Sequence, residues 1–145
     1  MKPPKDAVLK IAGEIEPMFK APDGVRIQRQ RTKGWRSPKD WWWVGSPSIW
    51  GNPFSVQRWG REMALRLYRE AGSGSWNPGL FKELSDDDYN MAVLVRYRWL
   101  GRFRAATNST PRELARRYKG RSVGCWCSLE EACHGSILLE WANEA

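Results

Sequence analysis

Residues 121–135 read RSVGCWCSLEEACHG, and this stretch holds every cysteine and the only histidine of the chain. RSVGCWC, residues 121–127, reads as a strand running into the cysteine loop. SLEEA has no periodicity and reads as a loop. GSILLEWANEA, residues 135–145, returns to helical spacing. A strand that runs into a loop and then a helix is the unit from which parallel α/β sheets are built.

Upstream, the same pattern recurs. WWWVG, residues 41–45, is a short run of aromatic and β-branched residues after the turn chemistry of TKGWRSPKD, and it leaves through the loop SPSIWGNPF. VRIQRQR, residues 25–31, alternates apolar and polar residues as a strand does. Between these strands lie helical patterns. In WGREMALRLYREA, Trp59, Met63, Ala64, Leu67, Tyr68 and Ala71 form one stripe, with Arg61, Glu62, Arg66, Arg69 and Glu70 opposite, so a helix is expected to begin near Gln57. Ser85 with three aspartates after it opens a second helix, whose apolar residues circle it without a clean face, so it is either deeply buried or only partly helical. Thr110, Pro111 and Glu113 spell a capping box with proline in the first turn, and Gly120 stops that helix.

The order β, β, α, α, α, β, α predicts one α/β domain over residues 25–145. Its sheet is small and mainly parallel, flanked by helices in Rossmann-like layers. Residues 1–24, rich in Pro and Lys, read as a loosely attached arm. A chain of 145 residues with 41% hydrophobic content is large enough for a core and too apolar for disorder. It lacks an apolar run near the roughly 18 residues of a membrane span. Its start carries charges where a secretory signal needs an apolar stretch. With an odd cysteine count, these features predict a cytoplasmic protein with reduced thiols and no membrane partner. Oligomeric state is not legible.

A net charge of +8 with sixteen arginines favours phosphate-bearing partners, because the guanidinium grips phosphate at two points and stacks on flat rings. The plain alternative is a basic surface that serves solubility alone. Ten tryptophans are the second anomaly. Most are expected in the core, including Trp126, and some as platforms for a base or sugar.

Ligands of open parallel sheets sit beyond the carboxyl ends of the strands. The loops after WWWV and RSVG both occupy that position, so they are expected to face each other across one cleft. In the first loop, Trp50, Gly51 and Asn52 are candidate ligand contacts: Gly51 for close backbone approach, Asn52 for a donor and an acceptor. Arg58 and Arg61, in the first turn of the helix that follows, add positive charge. In the second loop, Cys125, Cys127, Cys133 and His134 leave three readings open. They supply the ligand count of a zinc centre, though Cys-x-Cys and adjacent Cys-His are unusual spacings. They also suit a metal-free site with Cys125 or Cys133 as nucleophile and His134 as acid/base, Cys127 lining the cleft. Lastly, they suit plain buried cysteines.

The pairing of VGSPSIWGNPF with GCWCSLEEACHGSILLE resembles the domain of unknown function 4326 family, found in bacteria, archaea and bacteriophages. The resemblance covers about residues 25–142. It marks Trp50, Gly51, Asn52, Pro53, Cys125, Trp126, Cys127, Cys133 and His134 as signature positions, while Ser46 stands where the family has Arg. It implies a functional cleft and no particular reaction.

The leading expectation is therefore a protein that binds, or binds and processes, a nucleotide, nucleobase or nucleic acid between the two loops, without a cofactor. The competing one is a zinc-stabilised basic module that grips nucleic acid or protein without catalysis.

Overall fold

The computed structural model describes residues 24–144. The arm expected over residues 1–24 lies outside them but for Gly24. Three parallel strands form an open sheet: β1 (Arg26–Gln28), β2 (Trp42–Trp43) and β3 (Val123–Cys125), in the order β1-β3-β2. The strand last in sequence is central, with Val123 opposite Arg26 on one side and Trp42 on the other. Its ladder extends past the strand ends: Trp42 N–H donates to Ser122 O at 2.8 Å, and Val44 N–H to Gly124 O at 2.8 Å.

Alternation sends Trp42, Val44, Val123 and Cys125 into the core on one face. Among the described residues, five α-helices accompany the sheet. They are α1 (Val56–Trp59), α2 (Arg61–Gly72), α3 (Asp86–Thr107), α4 (Pro111–Ala115) and α5 (His134–Ala142). Leu67, Tyr68 and Ala71 from α2, Trp99 and Phe103 from α3, Leu114 and Ala115 from α4, and Ile137, Leu138 and Trp141 from α5 share one core with those strand residues. The architecture is thus α/β with a small parallel sheet and a helical layer.

Three local expectations are corrected. The helix expected from Gln57 onward is two helices, because Gly60 adopts φ 83°, a left-handed conformation that breaks the hydrogen-bond ladder after a single turn. The α3 pattern is helical throughout Asp86–Thr107, with N-cap Ser85 Oγ accepting from Asp88 N–H at 3.1 Å, yet it is not deeply buried. Only Ala92, Trp99 and Phe103 are buried along it, a stripe seven and then four residues apart, while Tyr97 is 72% exposed. The helix from Pro111 is α-helical only to Ala115 and tightens into a 3-10 turn over Arg116–Tyr118, with the Thr110–Glu113 capping box in place.

Candidate functional site

The first loop is riveted to the helices behind it. Trp50 packs edge-on against Trp42 and Phe103, with ring centroids 4.8 and 4.9 Å away. Its carbonyl accepts from the buried Tyr68 hydroxyl at 2.7 Å, and the Ile49 carbonyl accepts from Trp99 Nε1 at 2.9 Å. Burial holds the Tyr68 phenol well above its usual pKa, with the Cys133 sulfur adding, so it remains a donor. Asn52 folds back on its own loop: Oδ1 accepts from Phe54 N–H at 2.9 Å, and Nδ2 donates to the Ala64 carbonyl at 3.3 Å. A Cβ on Gly51 would lie 3.3 Å from the Ser48 carbonyl, so the glycine serves a tight turn. The ring and amide proposed as ligand contacts are spent on the fold.

Arg58 and Arg61 also face protein. Arg58 pairs with Asp88 at 2.9 Å, while Arg61 donates to the Ala132 carbonyl at 2.9 Å and to Glu131 at 3.3 Å. Through Arg61 the α2 helix holds the second loop. His134 completes the junction, since its Nε2 lies 2.7 Å from the Val44 carbonyl at the end of β2. The second loop and the helix it leads into are thus anchored to the start of α2 and to the end of β2.

The second loop gathers its thiols. The Sγ atoms of Cys125, Cys127 and Cys133 all lie within 4.8 Å of one another, and those of Cys125 and Cys133 are 3.5 Å apart. All three cysteines are free. Strand geometry sends Cys125 and Cys127 to one face, and Cys133 arrives from the N-cap of α5. There its sulfur accepts from Gly135 N–H at 3.4 Å and lies 3.7 Å from His134 Nδ1. Cys133 has extended backbone (φ −147°, ψ 147°) while His134 opens the helix, which leaves His134 Nδ1 beside the Cys133 sulfur but outside the group of three sulfurs. Hydrogen bonds from Cys125 and Cys127 hold the Cys133 thiol far below its usual pKa. Cys125 is pushed far up by its hydrogen bonds to Cys127 and Cys133 and by burial. The bond from Cys127 to Cys125 lowers the Cys127 pKa, but its bond to Cys133 and burial outweigh that and raise it overall. The three sulfurs are placed to hold a metal ion.

The loop between these thiols is clamped by one side chain. Nη2 of Arg26 donates to the carbonyls of Ser128, Leu129 and Glu131 at 3.4, 2.9 and 3.0 Å. Sequence reasoning passed over Arg26, which strand periodicity places on the core face of β1 beside Val123.

The opposite face of the sheet carries an arrangement the two loop motifs did not announce. Trp41 lies flat over Gly124, where a Cβ would come within 2.3 Å of its ring. The centroid of Trp35 is 5.7 Å from Trp41, that of Trp41 is 5.4 Å from Trp43, and Trp43 meets Trp126 edge-on at 5.6 Å. Trp126 is 36% exposed, which corrects its expected place in the core: alternation does turn it away from the thiols, but onto the outer face. Arg29 sits 5.2 Å from the Trp43 ring and 5.0 Å from that of Trp126, and Arg31 lies 4.2 Å from Trp126. Arg29, Trp35, Arg36, Ser37, Trp41 and Trp43 line a hollow of about 550 Å³. The side chains over this face come from strands and loops. Of the ten tryptophans Trp42, Trp50, Trp99 and Trp141 are buried and Trp59 and Trp76 pack against the core, while Trp35, Trp41, Trp43 and Trp126 gather on this outer face. The signal was available in the period of two, because Trp41 and Trp43 must share a face that excludes Trp42.

No helix among the described residues is long and apolar enough to cross a membrane. Comparison with curated proteins and with solved structures found no match. A family profile does match: the family described as domain of unknown function (DUF4326) covers residues 27–144. That span takes in both loops, all three strands but for Arg26, and the thiol cluster. The chain belongs to the domain of unknown function 4326 family.

Proposed function

We propose that this protein binds single-stranded nucleic acid across the tryptophan–arginine face of its sheet. The observation that carries the reading is the placement of Arg29 over the rings of both Trp43 and Trp126, beside a hollow lined by Trp35, Trp41 and Arg36. Aromatic rings offer stacking surface to any base, and arginines among them offer charge to the backbone, which is how single strands are held with little sequence preference. Apart from the core-facing Arg26, the segment from Val25 to Trp41 supplies five cations (Arg29, Arg31, Lys33, Arg36 and Lys39) against one acid, Asp40. This reading keeps the expected nucleotide-bearing partner. It moves the contact from between the loops to the far side of the sheet, because the ring of Trp50 and the amide of Asn52 are engaged within the chain.

The test is titration of the protein with a fluorescently labelled single-stranded oligonucleotide at low salt, read by anisotropy and by quenching of tryptophan emission. Binding with quenching, tighter than to the matching duplex, supports the reading. Absence of binding at low ionic strength, or binding undiminished in a Trp126→Ala, Arg29→Ala double variant, overturns it.

A further inference from the structure

We propose that Cys125, Cys127 and Cys133 bind one zinc ion, with His134 Nδ1 as the fourth donor. This inference is independent of the nucleic-acid reading and concerns the other face of the sheet.

The first observation is convergence. Tetrahedral zinc with sulfur ligands at about 2.3 Å holds its sulfurs about 3.8 Å apart. The Cys125 and Cys133 sulfurs stand 3.5 Å apart, and all three lie within 4.8 Å of one another. A disulfide would bring two of them to about 2 Å, and all three remain free thiols. Cysteines buried merely as small apolar side chains have no reason to turn three sulfurs toward one point from two separate segments.

The second observation is the histidine. A carbonyl oxygen only accepts, so the 2.7 Å contact with Val44 requires the proton on Nε2. In the neutral ring that leaves the lone pair on Nδ1, which lies 3.7 Å from the Cys133 sulfur. A ring nitrogen–hydrogen donated to a backbone carbonyl is the usual arrangement behind a histidine that ligates metal through its other nitrogen.

The third is charge. Three thiolates on a divalent ion leave one net negative charge, which a buried site must offset. Arg61 holds the loop at Ala132 and Glu131, and Arg26 grips three carbonyls of the same loop. Soft thiolates favour zinc over magnesium or calcium.

The experiment uses the full chain without a histidine tag, prepared reduced and metal-stripped, and titrated with cobalt(II) as the spectroscopic probe and with zinc as competitor. The expected result is one cobalt per chain, with an intense thiolate charge-transfer band and the strong visible bands of a tetrahedral site, both abolished by one equivalent of zinc. Cys127→Ser, at the most accessible of the three sulfurs, should remove most of the charge-transfer intensity while the circular dichroism of the folded chain persists. His134→Ala should shift the visible bands. No charge-transfer band in folded wild-type protein, or an unchanged spectrum in Cys127→Ser, overturns the site. An unchanged visible spectrum in His134→Ala overturns the nitrogen donor.

Discussion

His134 and Val44, ninety residues apart in sequence, are joined by a 2.7 Å hydrogen bond from imidazole Nε2 to a backbone carbonyl. The bond ties the exit of edge strand β2 to the first residue of α5, and the ring is buried. In metal-free protein, His134→Phe preserves the ring but leaves the carbonyl facing an apolar edge. An unsatisfied buried acceptor costs about 1–3 kcal/mol. Urea denaturation of the stripped variant should show a loss of that size, and an unchanged midpoint would mean that the bond contributes nothing.

Gly124 and Trp41 form a second such pair. A Cβ at Gly124 would approach the Trp41 ring to 2.3 Å, and the central strand allows the backbone no retreat because both its neighbours are paired to it. Gly124→Ala should cost about 1–3 kcal/mol, as overpacking does. It should also displace Trp41, so near-ultraviolet circular dichroism should change together with the melting temperature. A variant as stable as the parent, with an unchanged aromatic spectrum, would show that the ring has room to move.

These pairs mark where sequence reasoning succeeds and where it stops. Strand positions were legible because the runs around Trp42 and Val123 are short, apolar and bounded by turns, and the caps at Ser85 and Thr110 are local chemistry. The break at Gly60 was missed because the apolar stripe runs through it undisturbed. The gathering of Cys125, Cys127 and Cys133 was legible as an alternative because it depends on strand alternation and one helix cap. The roles of Asn52 and Trp50 were not. A loop residue that hydrogen-bonds Ala64 and one that reaches for a ligand look identical until the tertiary partners are known. Trp126 was placed correctly relative to Cys125 and wrongly relative to solvent, because alternation says which residues share a face and not which face is covered.

Binding to a single strand should depend on stacking and on salt. Truncating Trp126, which is 36% exposed, removes a ring without opening the core. Stacking on an aromatic contributes about 1–3 kcal/mol per base, so Trp126→Ala should weaken binding about 5- to 150-fold with little change in melting temperature. Replacing Arg31 should instead flatten the salt dependence, because each phosphate neutralised on a single strand contributes about 0.7 to the log–log slope. Anisotropy titrations across a salt series separate the two effects.

Acid should loosen the carboxyl-terminal end first. The hydrogen bond from Arg112 holds the Glu144 carboxyl below its usual pKa of 4.5, and Arg69 does the same for Glu140. A carboxyl with a lowered folded pKa contributes stability that is complete above its unfolded value and lost as pH falls through the folded one. The loss should therefore be confined to pH values below 4.5. These pairs are partly exposed, so the effect is small, about 1 kcal/mol or less. Melting curves of the parent and of Arg112→Gln should differ at neutral pH and converge in acid. A difference that persists at pH values well below the Glu144 titration would assign the effect to packing of the Arg112 stem.

The three thiols should react in a defined order. Cys125 is 1% exposed and Cys133 is 3% exposed, whereas Cys127 is only half-buried, at the start of the loop that Arg26 holds. Acidity and access are thus divided between residues: hydrogen bonds lower the Cys133 pKa, but Cys127 is the one a reagent meets. Alkylation of reduced, metal-stripped, folded protein should therefore modify Cys127 first. Cys133 should follow only as fast as the cluster opens, and Cys125 last, because burial and its hydrogen bonds to the other two sulfurs keep it a thiol. Peptide mapping by mass spectrometry against time reads the order directly, and denaturation should bring all three to one rate. Early modification of Cys125 in the folded protein would contradict the clamped loop, since that sulfur is reached only when Cys133 and α5 move aside.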